Sequence, residues 1–159
     1  MNLAVPDIRL AHPDDAAVIA AMSRDYIELG LGWSWTPCRV LRSIADRSCN
    51  VAVLAEPDGL IGFGIMRYDD EIAHLALLAV RPQYRNQGLG RRLMVWLESP
   101  AVVAGIGTIR LEARADNPEA IGFYKRCGYR TSGVVTGYYE GMMDAVQLEK
   151  SLRVAEALG

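Results

Sequence analysis

The order of apolar segments and turns along the chain predicts an α/β fold built on one mixed β-sheet. Segments with strand character alternate with segments whose apolar residues recur at helical spacing, in the order β-α-α-β-β-β-α-β-α-β-β. The 159 residues, 51% of them hydrophobic and 23% charged, suffice for one continuous core and are too apolar for a disordered chain. We therefore expect a single domain over residues 1–159, with about seven strands and about four flanking helices.

The first half of the chain is predicted to form a strand, two helices and two more strands. Both helices have a proline in the first turn, where its missing N–H costs no hydrogen bond, and the first also has acidic residues there. A Pro-Asp-Gly turn separates the two later strands. The expected bounds are a strand at 8–10, a helix from 12 to 30, a helix from 36 to about 47, and strands at 51–55 and 60–68.

The second half is predicted to form a buried strand, a long helix, and three strands around one more helix. In the segment 109–114, apolar residues alternate with charged ones, which is typical of a strand with one buried face. Gly128 ends the last helix at a position where left-handed glycine is common. The expected bounds are a strand ending at 80, a helix to about 104, a strand at 109–113, a helix from 117 to 128, and strands near 129–135 and 143–148.

The segment 80–93 carries the strongest functional signal. A polar turn after an apolar strand leads to Gly88-Leu89-Gly90 at the start of a helix, where backbone N–H groups and the helix dipole favour an anion. The third glycine of a dinucleotide fingerprint and the Gly-Lys-Ser/Thr of a nucleotide P-loop are both missing. Three nearby arginines add positive charge: Arg85, Arg91 and Arg92. We interpret the segment as a pyrophosphate site, with an ordinary glycine-containing turn as the alternative.

Two motifs together resemble the GCN5-related N-acetyltransferase (GNAT) family. Arg85-x-x-Gly88-x-Gly90 resembles its acyl-coenzyme A signature. Asn117-Pro-Glu-Ala-Ile-Gly-Phe-Tyr-Lys-Arg-Cys-Gly-Tyr129 resembles its Asn-x-x-Ala-x-x-Phe-Tyr-x-x-x-Gly-Phe segment. The order of elements also matches from end to end. The resemblance implies a GNAT fold with acetyl-CoA as the cofactor.

A finer resemblance is to the branch of the family that acetylates protein N-termini, including the ribosomal-protein alanine acetyltransferases. Leu111-Glu-Ala-Arg-Ala-Asp-Asn117 resembles the branch's Leu-Glu-Val-Arg-x-x-Asn. Tyr138-Tyr139 followed by Asp144-Ala145 resembles its Tyr-Tyr and Asp-Ala segment before the last strand. This likeness favours an N-terminal amine as the acceptor.

The family resemblance also implies which residues hold acetyl-CoA. Family members bulge the strand before the glycine loop, which would place the backbone N–H of Val80 at the acetyl oxygen and the adjacent backbone beside the pantetheine arm. Asn117 either holds pantetheine or only caps its helix. The expected cofactor-binding residues are Leu78, Ala79, Val80, Arg85, Asn86, Gln87, Gly88, Leu89, Gly90, Arg91 and Asn117.

Acetyl transfer to an amine needs a base for the amine proton, a donor for the acetyl oxygen and an acid for the leaving thiolate. Glu112 is the expected base, because the branch resemblance places a catalytic glutamate there. Glu71 is its rival, and a solvated strand residue paired with an arginine is the structural alternative. Tyr124 is the expected acid, unless it only packs in the apolar face of its helix. The expected acceptor-side residues are Trp33, Trp35, Tyr138 and Tyr139, although the tryptophans can instead anchor the first two helices.

The expected activity is transfer of acetyl to a protein or peptide N-terminal amine. A small amine acceptor, such as a polyamine, amino acid or antibiotic, is the alternative, followed by a non-catalytic acyl-CoA-binding module. A small cationic acceptor would favour a pocket lined by the carboxylates of Asp69, Asp70, Glu71 and Glu140.

Composition narrows the partners further. A net charge of −2 predicts binding neither to nucleic acid nor to a membrane. Three scattered cysteines and two histidines predict no metal site. Because no signal peptide is indicated, we expect a cytoplasmic protein, either a monomer or a homodimer.

Overall fold

The computed structural model describes residues 6–153 and shows one β-sheet with helices on both faces. The strands are β1 Asp7–Leu10, β2 Cys49–Glu56, β3 Gly59–Tyr68, β4 Ile72–Val80, β5 Thr108–Arg114, β6 Arg130–Tyr139 and β7 Met143–Ser151. The α-helices are α1 Ala16–Tyr26, α2 Pro37–Ala45, α3 Leu89–Val103 and α4 Pro118–Arg126. Over the described residues, this order of seven strands and four helices confirms the predicted α/β fold. The predicted domain ends at 1–5 and 154–159 lie outside the described residues.

The first helix ends earlier than its apolar pattern predicts. α1 stops at Tyr26, and Leu29, expected on its apolar face, is 69% exposed. The reason is the buried Glu28 carboxylate, which accepts hydrogen bonds from the Ser23 hydroxyl at 2.9 Å and the Ser34 hydroxyl at 2.6 Å. These bonds turn the chain back on itself after α1 and shape the connection to α2.

The two helix pairs divide the core into two layers. The sheet has the strand order β1-β2-β3-β4-β5-β7-β6, in which only β4 and β5 are parallel neighbours. α1 and α2 pack on one face with Phe63 and Ile65 of β3. α3 and α4 cover the other face, over Ile109 and Leu111 of β5. The alternate residues of β5, Glu112 among them, therefore face the side of α1 and α2. No helix between residues 6 and 153 is both long and apolar enough to cross a membrane.

The parallel pair β4–β5 opens into a gap. Its pairing begins at Ile72 with Thr108 and ends at Leu75 with Leu111, although both strands continue beyond this point. The rest of β4 and β5 therefore diverge, and their facing backbone edges are left without a partner strand. Such a splayed pair creates a binding groove within the sheet itself.

A β-bulge in β4 lies at Ala76. Against β3, Leu75 faces Met66 and Leu77 faces Ile65, which leaves Ala76 as the extra residue. The bulge reverses the faces of the strand, because Leu75 packs in the core under α3 and Leu77 packs in the core under α1. The expectation of a bulge at Val80 is wrong, because the pairing of β4 with β3 is regular from Leu77 to the end of the strand.

Candidate active site

The gap between β4 and β5 widens into a cleft with a volume of about 990 Å³. The loop between α1 and α2 lines one side of the cleft, and α4 and the end of β6 line the other. The start of α3 lies in the same cleft, so the predicted pyrophosphate loop and the predicted acceptor side share one space. A cleft of this volume is large enough for a ligand of several linked groups.

The glycine loop forms an open helix N-terminus. Gly88 is the N-cap of α3 with a φ of +79°, and no side chain caps the helix. The N–H groups of the first turn therefore have no intrahelical partner and are available to an anion. A Cβ at Gly90 would lie 3.1 Å from ring carbons of Phe123, so glycine lets α3 pack closely against α4. The side chain of Leu89 is buried in the core, so only the backbone of Leu89 is available to an anion at this helix N-terminus.

Two arginines fix the edges of the loop. Arg85 donates from Nε to the carbonyl of Val80 at 3.0 Å, which ties the loop to the end of β4. Arg91 donates to the carbonyl of Arg126 at 3.1 Å, at the end of α4. All the expected cofactor residues line the cleft except Gln87, whose amide donates at 3.4 Å to the carbonyl of Gln83.

Backbone groups of β4 face the cleft in alternation. Arg81 donates its N–H to the carbonyl of Ile61 at 2.8 Å, so its backbone pairs with the β3 side. Because hydrogen-bonding direction alternates along an antiparallel strand, the N–H and C=O of Ala79 also face β3, whereas those of Leu78 and Val80 face the gap. The expected pairing of pantetheine with Ala79 therefore lacks a free amide, and Leu78 and Val80 supply the open edge.

Glu112 forms a hydrogen-bonded pair with His74 at the point where the strands separate. Nε2 of His74 lies 2.8 Å from Oε1 and 3.0 Å from Oε2 of a carboxylate that is only 10% exposed. Burial raises the pKa of Glu112, but hydrogen bonds from His74 and Tyr138 outweigh it, and the net pKa lies below its ordinary value. Glu112 is therefore ionised at neutral pH.

Sequence reasoning did not identify His74 as a site residue. It lies one position before Leu75, the last residue of β4 that pairs with β5, and so shares a sheet face with Glu112. Strand alternation on both strands could have found it only if their parallel register had been known. With Nε2 donating to the carboxylate, a neutral His74 keeps its lone pair on Nδ1.

Tyr124 lies on α4 with its ring buried between Phe123 and Tyr129. Its hydroxyl makes no hydrogen bond to another residue within 6–153, yet no buried side-chain polar atom in that range lacks a partner. The hydroxyl therefore opens onto the cleft that Tyr124 lines. Burial raises the pKa of Tyr124, so the phenol stays protonated and can donate.

Asn117 caps α4 and still faces the cleft. Its Oδ1 accepts from the backbone N–H of Ala120 at 3.1 Å, which is the N-cap interaction. The amide NH₂ of the same side chain makes no hydrogen bond to another described residue. Because the cap uses only the carbonyl oxygen, the two roles considered for Asn117 are compatible.

On the acceptor side the structure brings together two tyrosines and one of the tryptophans. The Tyr139 hydroxyl donates to the carbonyl of Glu112 at 3.3 Å, and Tyr138 packs edge-on against Tyr139. Trp35 lines the cleft. Trp33 does not: its indole N–H donates to the carbonyl of Ala20 at 3.1 Å, so it anchors the loop to α1.

The carboxylates considered for a small cationic acceptor do not form one pocket. Of the four, only Glu140 lines the cleft; Asp69, Asp70 and Glu71 lie at the start of β4, at the opposite end from Val80. Glu140 accepts from the N–H of Gly32 at 2.9 Å and so bridges the β6–β7 turn to the α1–α2 loop. In the part of the chain from 6 to 153, no three His, Cys, Asp or Glu side chains form a metal-binding group.

A model of the acetyltransferase (GNAT) family matches residues 17–129, well over half of the chain. The chain belongs to the GNAT family. Members of this family use acetyl-CoA, and this GNAT chain carries the loop, the splayed strands and the α4 segment that point to such a ligand.

Similar proteins fall in the same family. The ribosomal protein bS18-alanine N-acetyltransferase of Escherichia coli K12 is 33% identical over 96 residues, which cover 58% of this GNAT chain and 65% of that relative. The solved structure of Ard1 from Thermoplasma volcanium superposes with a TM-score of 0.79 at 26% identity and covers 93% of this chain and 98% of that one. The solved Escherichia coli ribosomal-protein-S18-alanine N-acetyltransferase gives a TM-score of 0.72 at 25% identity, with 92% and 94% coverage.

Proposed function

We propose that this protein transfers an acetyl group from acetyl-CoA to the N-terminal amine of a protein or peptide. The main support for this proposal is the position and charge of the Glu112 carboxylate. The carboxylate is ionised, held by His74, and lies where β4 and β5 separate, in the cleft that also contains the glycine loop. A carboxylate at that point can receive the proton of an amine that enters from the side of α1 and α2.

The residues of the cleft fit acetyl-CoA. The uncapped first turn of α3 offers backbone N–H groups to a pyrophosphate, and Gly88 leaves its approach free of a side chain. Leu78 and Val80 offer the free strand edge along which the amides of pantetheine can pair, as an added strand does. When bound, acetyl-CoA supplies the thioester carbonyl that an amine attacks.

Glu112 suits an α-amine as the acceptor. An α-amine has a pKa of about 7.7–8.0, against about 10.4 for a lysine side chain, so its neutral fraction near pH 7 is roughly 300-fold larger. A carboxylate whose pKa lies below its ordinary value is a weak base. It is adequate for an amine that is already partly neutral and a poor match for one that is almost fully protonated.

Leu78 is the better placed of the two cleft-facing β4 residues to stabilise the acetyl oxygen. It lies two residues beyond the bulge at Ala76, whereas Val80 is at the end of the strand. Glu112 follows Leu111, the partner of Leu75, so the Leu78 N–H is nearer the base along β4. Val80 is then left to pair with pantetheine, which reverses the roles expected from sequence.

Tyr124 serves as the donor to the leaving sulfur. Its hydroxyl is protonated, faces the cleft and has no competing acceptor among residues 6–153. A hydrogen bond from a buried phenol stabilises a thiolate more strongly than water does, because the surrounding dielectric is low. Asn117, about two turns before Tyr124 at the start of the same helix, supports the pantetheine arm with its free NH₂.

The acceptor side favours the end of a peptide chain. The hydrogen bond between Glu140 and Gly32 joins the β6–β7 turn to the α1–α2 loop at one side of the cleft. Tyr138 and Tyr139 narrow the cleft beside Glu112. Such a narrow entrance admits a small first residue and leaves backbone polar groups to pair with the following peptide bond. The ribosomal-protein alanine acetyltransferase named above acts on a protein alanine, which supports the same class of acceptor here.

The experiment is a thiol-release assay with acetyl-CoA and a panel of amines. Peptides that begin with alanine or serine should be acetylated with the highest kcat/KM, and capping their N-termini should abolish the reaction. Polyamines, free amino acids and aminoglycosides form the comparison arm. A higher kcat/KM on one of these small amines, with peptides inert, would replace the proposal with the small-amine alternative. Coenzyme A binding without turnover on any amine would indicate a binding module.

A further inference from the structure

We infer that Arg39 selects acceptors that carry a carboxylate close to the reacting amine, namely peptides with an acidic side chain at the second or third residue. This inference rests on the proposed function. It concerns a half-buried guanidinium on the acceptor side of the cleft, beside the base but outside the cofactor loop.

Arg39 is fixed in direction by its neighbours. It lies in the first turn of α2, where its N–H donates to the Oγ1 of the N-cap Thr36 at 3.4 Å. Its guanidinium stacks on the ring of Trp35 at 3.8 Å from the ring centre. Trp35 is itself held, because its backbone N–H bonds the Glu28 carboxylate at 3.3 Å. The stack orients the cation without neutralising it.

No acidic group of the described chain neutralises Arg39. Within residues 6–153, its side chain forms no ion pair and no hydrogen bond. The carboxylates on this side of the cleft are already engaged: Glu28 by two serine hydroxyls, Glu112 by His74, and Glu140 by the N–H of Gly32. The other arginine near them, Arg114, pairs with Asp116.

An oriented, half-buried cation without a counter-charge is a binding site for an anion from outside the chain. Guanidinium and carboxylate match in geometry, and the bonds between them are strong because both groups are charged.

Arg39 lines the same cleft as the base, Glu112, and as Tyr138. Burial and the nearby Glu112 raise the pKa of Tyr138 to about 12, and the positive charge of Arg39 opposes that rise. The charges of Arg39 and Glu112 thus both lie near the Tyr138 hydroxyl. An extended peptide advances about 3.3–3.6 Å per residue, so a peptide with its amine at Glu112 carries its second and third side chains further along the cleft that Arg39 also lines.

The test compares two peptides that begin Ser-Asp and Ser-Asn and are otherwise identical, since aspartate and asparagine have nearly the same shape. The wild type should prefer the Ser-Asp peptide about tenfold in kcat/KM, mainly through KM, as one charge-assisted hydrogen bond permits. Added salt should reduce the preference. The R39Q variant should lose it, and R39K, which keeps the charge but not the planar stack, should retain part of it.

R42Q is the matched control, because Arg42 is an exposed arginine on the same helix and the charge change is identical. It should keep the wild-type preference. Equal kcat/KM on the two peptides, or a preference that survives in R39Q, would overturn the inference and leave the proposed function standing. Faster acetylation of free aspartate than of the Ser-Asp peptide would also overturn it. Failure to acetylate any peptide would instead overturn the proposed function itself.

Discussion

Tyr124 and Tyr129 are neighbouring buried tyrosines, and we expect their substitution to affect different properties: turnover for Tyr124 and stability for Tyr129. The rings of Tyr124 and Tyr129 lie 6.1 Å apart in the same core, yet their hydroxyls differ in what they contact. The Tyr129 hydroxyl donates to the buried Glu98 carboxylate at 2.7 Å, whereas the Tyr124 hydroxyl faces the cleft without a partner within residues 6–153. Replacing each with phenylalanine removes one oxygen and nothing else, so the two variants control for each other.

The expected changes in stability and in kcat follow from these contacts. Y129F loses a hydrogen bond to a charged group, which is worth about 1.5–3 kcal/mol, and the lower end applies because Lys150 still holds Glu98 at 3.1 Å. For a domain of this size, a loss near 1.5 kcal/mol should lower the melting temperature by roughly 3–6 °C. Y124F loses no internal hydrogen bond, so its stability should stay within about 1 kcal/mol of the wild type. Its kcat should fall by about 10²–10³, as for the loss of a general acid.

The assay measures kcat by thiol release at saturating acetyl-CoA, together with the melting temperature by calorimetry. Y124F should be stable and slow, and Y129F should be less stable but turn over at the wild-type rate below its melting temperature. Wild-type turnover in Y124F would refute the role of Tyr124. A fall of several kcal/mol in the stability of Y124F would refute the reasoning that its hydroxyl is free.

Three further predictions concern the base, the loop and the loop bridge. E112Q should lower kcat by about 10²–10⁴ without weakening acetyl-CoA binding. Because the pKa of Glu112 in the folded protein is lowered, its charge stabilises the fold at neutral pH, and this contribution is lost as the pH falls through that pKa. E112Q should therefore make the melting temperature fall less steeply as the pH is lowered. An unchanged slope would contradict this. G88A and G105A replace glycines with φ of +79° and +78°, so each should lower the free energy of unfolding by about 1–2 kcal/mol. Only G88A should weaken acetyl-CoA binding, as measured by calorimetry. Equal weakening in both variants would show that the loop is not part of the cofactor site. E140A should raise KM for a peptide and spare acetyl-CoA affinity, because it removes the carboxylate that accepts from the N–H of Gly32 and so opens the bridge between the two loops. A change in cofactor affinity alone would count against this.

Much of the fold follows from local patterns in the sequence. Each strand and helix carries its own periodicity, so the order of elements was predictable without any long-range information. The alternation around Glu112 likewise gave its sheet face, and the glycines before α3 gave the helix N-terminus. These features depend only on residues next to one another in the chain.

The features that were not predicted depend on pairing between distant segments. The bulge lies at Ala76 because of how β4 meets β3, and no residue type at that position signals it. The His74 partner of Glu112 depends on the parallel register of β4 and β5. The end of α1 was missed because the polar bonds of Glu28 override an apolar pattern that continues past it. In each case tertiary contacts decided the outcome over the local signal.

The position of the acetyl group on a peptide that offers two amines tests the proposed N-terminal acetylation most directly. A peptide beginning with serine and carrying one internal lysine is incubated with the protein and acetyl-CoA, and its fragments are mapped by mass spectrometry. We expect acetylation of the α-amine alone, because Glu112 is too weak a base for a lysine whose pKa is about 10.4. Acetyl on the lysine, with the N-terminus unmodified, would contradict it.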